Sequence, residues 1–489
     1  MKLGGVRKSL VFLLATQALL AAVFVFYRTA EGDEGFYLAA AQRVADGMTL
    51  YADFFFPQGP MMPLVFAAFS GWGMASLMLL RLLALVAGLL LTYQTYRIAW
   101  EHTGDDRAAF SAAFLMAFNG MFLAWHSVFK PFVFVDLFLL LSFGYLLRAE
   151  TTEKGFRWNA FLSMLFLSTA VNFRSIFLLL LPVYLYFILK SAKRPASGSA
   201  KTLLIMLAGL IVPSIPALVL FLKAPGNFWF DNVIFHLYRE PISPFSALVL
   251  HKVTVFGKFL ALPQTILLLG ALLGGWYLLK HKVVENSIMY RRGLLMAVLI
   301  CVIYLIPTPV HLQYFQEAIP YLIIAALPVF VLINRTEGLR ALGRSVKFLY
   351  IIGAIPFMWL FIVSPLPMNA RFELPQLRSV VAEVQARSSA NDTLLSEWAG
   401  YAALSQRPQL PGSEHVGFYF PLAVDSEVYG RNHLLTNDNI VRALQQKRPR
   451  LVVVDYKVYP AWQGALDSNY RLASTIGETM LYERNHDTL

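Results

Sequence analysis

Apolar residues in this chain come in long unbroken blocks, not at the spacing of amphipathic helices or half-buried strands. A helix needs about 20 apolar residues to cross a bilayer. Blocks approaching that length recur near residues 10–27, 79–99, 108–125, 132–148, 159–173, 175–190, 202–222, 259–279, 293–306, 317–334 and 348–364. The pattern predicts a polytopic α-helical membrane protein with about eleven transmembrane helices. The neighbouring blocks 159–173 and 175–190 are short, which also fits a broken or re-entrant hairpin around Asn172-Phe173-Arg174. Met61–Met78 is apolar but interrupted by Gly71-Trp72-Gly73, and reads as helices lying along the membrane surface. If it spanned instead, every later loop would change sides. The first block follows Lys2, Arg7 and Lys8. A signal peptide would have a shorter apolar core and a small-residue cleavage site, which Arg28-Thr29-Ala30-Glu31 does not supply, so an uncleaved first span is expected.

After about residue 366 the pattern changes. Residues 374–388 have helical periodicity, Thr393–Ser396 and Leu451–Val454 read as short buried strands, Asn437–Gln446 reads as a helix, and strands close the chain near 470–476 and 480–483. The expected organisation is a membrane module, 1–365, followed by a small α/β domain, 366–489. Loop charge sets the orientation. Arg97 and Arg107, Arg148 to Arg157, Lys190 to Lys201, Lys280 to Arg292, and Arg335 to Lys347 fall in alternate loops, whereas the loops between them are nearly free of Lys and Arg. By the positive-inside rule the basic loops are cytoplasmic. That leaves the long segments 28–78 and 223–258, and the C-terminal domain, outside the cytoplasm.

Composition agrees: 57% of residues are hydrophobic and 14% charged, against about a quarter charged in soluble domains. The net charge of +12 does not signal nucleic acid, because it resides in those short loops. The single Cys301 excludes an internal disulfide.

Candidate chemistry concentrates just past the first span, in Glu31-Gly32-Asp33-Glu34. Asp33 or Glu34 could serve as a general base, since a site can tune a carboxyl for that task. A solvated acidic turn is the plainer alternative. The segment continues through Tyr37, Ala40, Arg43, Gly47, Tyr51-Ala52-Asp53-Phe54, Pro57-Gln58-Gly59-Pro60 and Pro63-Leu64. In this ordered series the chain resembles the integral-membrane glycosyltransferases of the GT-C fold. It is most similar to the bacterial branch related to protein O-mannosyltransferases and lipid A aminoarabinose transferases. The resemblance implies that Asp33 is the catalytic base with Glu34 beside it, and that Tyr37 and Asp53 belong to the substrate side of the same loop. Further matches cover nearly the whole chain. Lys130-Pro131 with Asp136 resembles a second acidic site, and Asn172-Phe173-Arg174 a basic outer turn. His311-Leu312-Gln313-Tyr314-Phe315 with Pro320 resembles an outer motif before a late span. Arg450 through Asp455 and Leu481 through Arg484 resemble closing strands of a soluble domain. The sequence departs from the aminoarabinose transferases at Pro57-Gln58-Gly59-Pro60, which has no Lys where their turn carries one.

Ionisable groups at membrane depth point to function by default, because burying them is costly. Asp136 is too short to reach water and favours a site role, whereas Arg174 fits either a site or snorkelling to the interface. Glu317 reads more simply as a span-end charge. In the second outer segment, Phe228-Trp229-Phe230-Asp231-Asn232 could lie against a prenyl chain, with His236 or Arg239 on a phosphate. An interfacial helix without a ligand fits equally well. His126 and His311 lack metal-ligand spacing, so a divalent metal is possible but not indicated, and no cofactor is assigned. The resemblance implies an inverting glycosyltransferase that takes its sugar from a polyprenyl-phosphate donor to a hydroxyl of a glycan, lipid or protein. It would sit in a bacterial inner membrane with a periplasmic site. Its rivals are a transporter or flippase of lipid-linked sugars, and a membrane scaffold without catalysis.

Overall fold

The computed structural model describes residues 3–192, 199–238, 244–283, 288–363, 373–414, 426–455 and 458–485. Among these, five helices are long and apolar enough to cross a membrane in one piece: Lys8–Tyr27, Met74–Thr103, Phe132–Thr151, Ala200–Lys223 and Glu337–Val363. Two more candidates are bent pairs, Phe245–Leu260 with Pro263–Lys280 at 76° and Leu312–Ala325 with Leu327–Arg335 at 42°. The chain is an integral membrane protein. The remaining four expected spans form shorter helices.

Polar insertions explain the breaks. The expected span 108–125 divides into Asp106–Ala117 and Gly120–Trp125 because Asn119 caps the second helix, accepting from the Phe122 amide at 3.2 Å. Gln264 stitches the gap, accepting from the Gly120 amide and donating to the carbonyls of Phe118 and Tyr350, each at 2.7–2.8 Å. The expected hairpin at 172–174 is a break at Arg174, whose extended backbone separates Phe156–Phe173 from the short turn Ser175–Leu180.

Phe132–Thr151 is the central post, with 72% of its apolar window buried, whereas Ala200–Lys223 and Glu337–Val363 have only 22% buried and face outward. Between the first helix, α1 (Leu3–Tyr27), and the second long one the chain forms helix α2, Gly32–Ala45, then the short helix Met61–Phe66. At six residues the latter cannot span, which agrees with a surface position.

The C-terminal region carries a four-stranded sheet of β1 (Leu394–Ser396), β2 (Leu451–Asp455), β3 (Tyr470–Ile476) and β4 (Thr479–Arg484), in the order β1-β2-β4-β3. β1 and β2 are parallel and the β2–β4 and β4–β3 pairs antiparallel. The expected domain boundary at 365/366 lies outside the described residues.

This region packs directly on α2. Trp398 is buried, and its indole N–H donates to the Gly32 carbonyl at 2.7 Å. Arg43 of α2 pairs with Glu414 at 3.0 Å. Position 35 admits only glycine: a Cβ there would lie 2.5 Å from the Trp398 ring and 2.6 Å from the Gly400 amide nitrogen. Gly35→Ala is therefore expected to destabilise the protein by about 1–3 kcal/mol, the usual range for overpacking. A lowered apparent melting temperature in detergent checks this, and an unchanged one would show that the interface yields freely.

Candidate functional site

Three carboxylates open α2, and the fold gives each a different environment. Glu31 is the helix N-cap. Its side chain accepts from the Asp33 amide at 2.8 Å while Glu34 accepts from the Glu31 amide at 2.8 Å, a reciprocal capping box.

Glu34 is fully buried. Its Oε1 accepts from Arg81 Nε and the Phe129 amide, both at 2.8 Å, and its Oε2 from the second Arg81 fork nitrogen at 2.6 Å and the Glu31 amide. Arg81 also donates to the carbonyls of Val25, Arg28 and Thr29 at 2.9–3.1 Å. Burial alone would raise the Glu34 pKa, but the Arg81 guanidinium overrides it and holds the carboxyl below its usual value. Both carboxylate oxygens are thus committed, which departs from the expectation that Glu34 acts in chemistry beside Asp33.

Asp33 is the accessible member, with its side chain 46% exposed and one oxygen 2.7 Å from Lys130 Nζ. The same ammonium lies 2.9 Å from Glu31. Burial works against the Lys130 charge, yet the carboxylates of Asp33 and Glu31 hold its pKa above that of a free lysine.

A second group lies deeper. The Arg174 guanidinium sits over the rings of Phe132, Tyr304 and Tyr314 at 4.6–5.1 Å and 3.9 Å from Glu317. Asp136 bonds His126 Nε2 at 2.8 Å. Among the described residues, one oxygen of Asp136 and one Arg174 nitrogen are buried without a hydrogen-bond partner, and Glu317 lies against the Tyr304 hydroxyl. This is unused polar capacity in the interior. Phe132 joins the two groups: Lys130 Nζ lies 5.2 Å from its ring centre and the Arg174 carbon 4.8 Å, so the cations are within about 10 Å of each other.

Position 59 fixes how the 57–60 turn packs. A Cβ at Gly59 would fall 2.2 Å from the Asn172 carbonyl oxygen, so the 57–60 turn rests on the backbone just before Arg174. Tyr37, buried in α2, donates to Gln58 of that turn at 2.7 Å.

The structure therefore brings together Asp33, Tyr37, Lys130, Asp136, Arg174 and Tyr314. It does not place Asp53 with them: that carboxylate is exposed and accepts from the Thr49 amide at 2.6 Å, closing a local turn. His236 donates to the Pro57 carbonyl at 2.8 Å and braces the turn from outside. His311 is exposed, with its ring edge against Tyr314. Arg239 lies outside the described residues. Sequence reasoning missed Arg81, whose signal was an arginine within an apolar block, and the pairing of His126 with Asp136. Among the described residues no group of three or more His, Cys, Asp or Glu side chains could hold a metal ion.

No family model and no curated protein matches the sequence. Solved structures do match. ArnT from Cupriavidus metallidurans bound to undecaprenyl phosphate aligns over 98% of this chain and 98% of its own, with a TM-score of 0.70 at 13% identity. The Archaeoglobus fulgidus oligosaccharyltransferase tethered with an acceptor peptide aligns over 98% of this chain and 74% of its own, with a TM-score of 0.52 at 14% identity. The mycobacterial arabinofuranosyltransferase AftD aligns over 99% of this chain and 40% of its own, with a TM-score of 0.50 at 13% identity. These are GT-C glycosyltransferases, and this chain has their fold.

Removing the Glu34 charge leaves Arg81 buried without a counter-ion, which typically costs about 3–5 kcal/mol. Glu34→Gln is thus expected to lower the melting temperature. The pH dependence has a definite sign. A depressed carboxyl contributes stability in full above its unfolded pKa of about 4.3 and loses it as pH falls through the folded value. Melting curves across acid pH should show the wild-type excess over Glu34→Gln shrinking as pH falls. A variant as stable as wild type at neutral pH would remove the structural role.

Proposed function

We propose that this chain is a membrane glycosyltransferase that moves a sugar from a polyprenyl-phosphate donor to an acceptor hydroxyl. The observation that carries the reading is one accessible carboxylate, Asp33, held by Lys130, whose ammonium lies within about 10 Å of the ring-caged Arg174. ArnT, which shares the fold, is bound to undecaprenyl phosphate, and this supports the donor class.

In the proposed reaction the acceptor oxygen attacks the anomeric carbon and a new C–O bond forms. The bond from that carbon to the phosphate oxygen breaks, and its electron pair leaves with the phosphate on its lipid. The acceptor proton passes to an Asp33 oxygen. Attack opposite the leaving group inverts the anomeric centre. Lys130 fixes the direction of the Asp33 carboxylate. Arg174 offsets the charge developing on the leaving phosphate, an effect that is strong in a site closed to water. Glu34 takes no proton in this scheme and keeps the first turn of α2 in place.

Two substitutions separate these roles. Asp33→Asn should lower turnover by about 100- to 10,000-fold, the usual contribution of a positioned base, with donor binding and melting temperature near wild type. Arg174→Ala should weaken donor binding by about 10- to 100-fold, the equivalent of one charge-assisted hydrogen bond. Sugar transfer and donor binding by purified protein read both. Normal turnover in Asp33→Asn would refute the base, and donor translocation without transfer would favour a flippase.

The site is proposed to face away from the cytoplasm, in the periplasm if the membrane is a bacterial inner one, with residues 373–485 on the same side. The basic loops support that orientation. Reporter fusions after Lys347 and after Leu489 should report cytoplasmic and extracytoplasmic positions respectively, and a cytoplasmic signal after Leu489 would overturn it.

A further inference from the structure

At the other end of the first span, a cleft opens between the helices Asp106–Ala117, Leu327–Arg335 and Arg340–Ile352. Leu115, Phe330, Ile333 and Val346 give it apolar walls, and Ser111, Asn334 and Lys347 its polar end. Its empty space is about 350 Å³ counted out to the mouth. The cleft is remote from Asp33. Phe110 and Phe114 pack near Leu10 and Leu13 on the first helix, whereas Asp33 follows the end of that helix at Tyr27, about 25 Å away at 1.5 Å rise per residue.

The charges around the cleft are unbalanced. Arg340, Arg344 and Lys347 recur at intervals of four and three, so they share one helix face. Like charges at that spacing destabilise a helix unless an anion answers them. Arg340 has Glu337 at 3.2 Å, and Arg335 has Asp105 at 3.4 Å. Asp106 and Arg107, at the start of the neighbouring helix, offset each other in sign. Arg344 and Lys347 have no carboxylate partner among the described residues. Lys347 is half-buried, with its Nζ 5.6 Å from the ring centres of Phe110 and Phe114. The same helix exposes Leu342, Phe348, Leu349 and Ile352. An apolar face beside a row of cations suits a helix at the level where acyl chains meet headgroups.

We propose that this cleft binds one anionic phospholipid from the leaflet at this end of the protein. Its phosphate is held by Lys347 and Arg344, and the upper part of an acyl chain lies along Leu115, Phe330 and Val346. Basic clefts between membrane helices take acidic headgroups by this chemistry. The site is independent of the glycosyltransferase reading and uses none of its residues.

Native mass spectrometry of the full chain, released from micelles containing equal phosphatidylglycerol and phosphatidylcholine, tests it. Wild type should retain one phosphatidylglycerol in preference to phosphatidylcholine. Arg344→Gln and Lys347→Gln should each reduce that retention by roughly five-fold, whereas Lys347→Arg should keep it. Val346→Phe fills the cleft without changing charge and should abolish retention of the single lipid. Arg344 is exposed, so its variant folds irrespective of packing in the cleft. Equal retention of the two lipids by wild type would overturn the proposal. So would undiminished phosphatidylglycerol in the double Arg344→Gln/Lys347→Gln variant, or its displacement by inorganic phosphate at millimolar concentration.

Discussion

The site is organised by the buried pair between Arg81 and Glu34. Such a pair is seldom a net source of stability, because taking both charges out of water costs about as much as their attraction returns. What it supplies is register. The guanidinium gathers carbonyls at the end of the first span and just past it, those of Val25, Arg28 and Thr29, while the carboxylate gathers the amides of Glu31 and Phe129. Three stretches of chain meet at one ion pair, and the groups that face the site, Asp33 and Lys130, stand one residue to either side of its partners Glu34 and Phe129. A shift of one residue in any strand of this junction would separate Asp33 from Lys130.

The same junction shows how neighbouring identical chemistry is divided. Glu31, Asp33 and Glu34 are nearly equivalent on paper. The helix start turns Glu31 back on its own backbone and Glu34 inward, leaving Asp33 pointing out. Burial then decides the rest. The inward acid must have a cation, and Arg81 is there. The outward acid keeps contact with solvent and shares a lysine with the cap. One turn of helix thus yields a cap, a buried counter-ion and an accessible carboxylate.

Much of this was legible before the structure. Long apolar blocks mark helices whatever their packing, and Thr393–Ser396 and Leu451–Val454 read as strands because they are short apolar runs beside acidic residues. Asp33, Lys130 and Arg174 stand out in the sequence because charges beside apolar blocks are conspicuous, and the fold brings them near one another. What failed depended on partners distant in sequence. Arg81 was absorbed into the block at 79–99, since window hydropathy averages a single charge away, although a lone arginine there requires an acid nearby. The break at Asn119 was invisible for the same reason, because a cap is one residue and a span is many. Asp53 was misplaced through its proximity to Tyr51 in sequence. The tyrosine reaches the Gln58 carbonyl, while the aspartate faces away to bond the Thr49 amide. No local pattern marks Trp398 as the neighbour of Gly32.

That last contact has a consequence for how the protein comes into being. The hydrogen bond between Gly32 and Trp398 joins residues 366 positions apart. At a ribosomal pace of about 5–20 residues per second, roughly 20–70 seconds separate the emergence of the acidic turn from that of the indole that seats against it. Throughout that interval α2 lacks the surface that Gly35 is shaped to meet. A chain interrupted before Trp398 would carry every charged group of the site and still hold the first turn of α2 without its cover. Completion of translation is thereby built into the assembly of the site, and an unfinished copy in the membrane is distinguishable from a finished one by the state of a single helix.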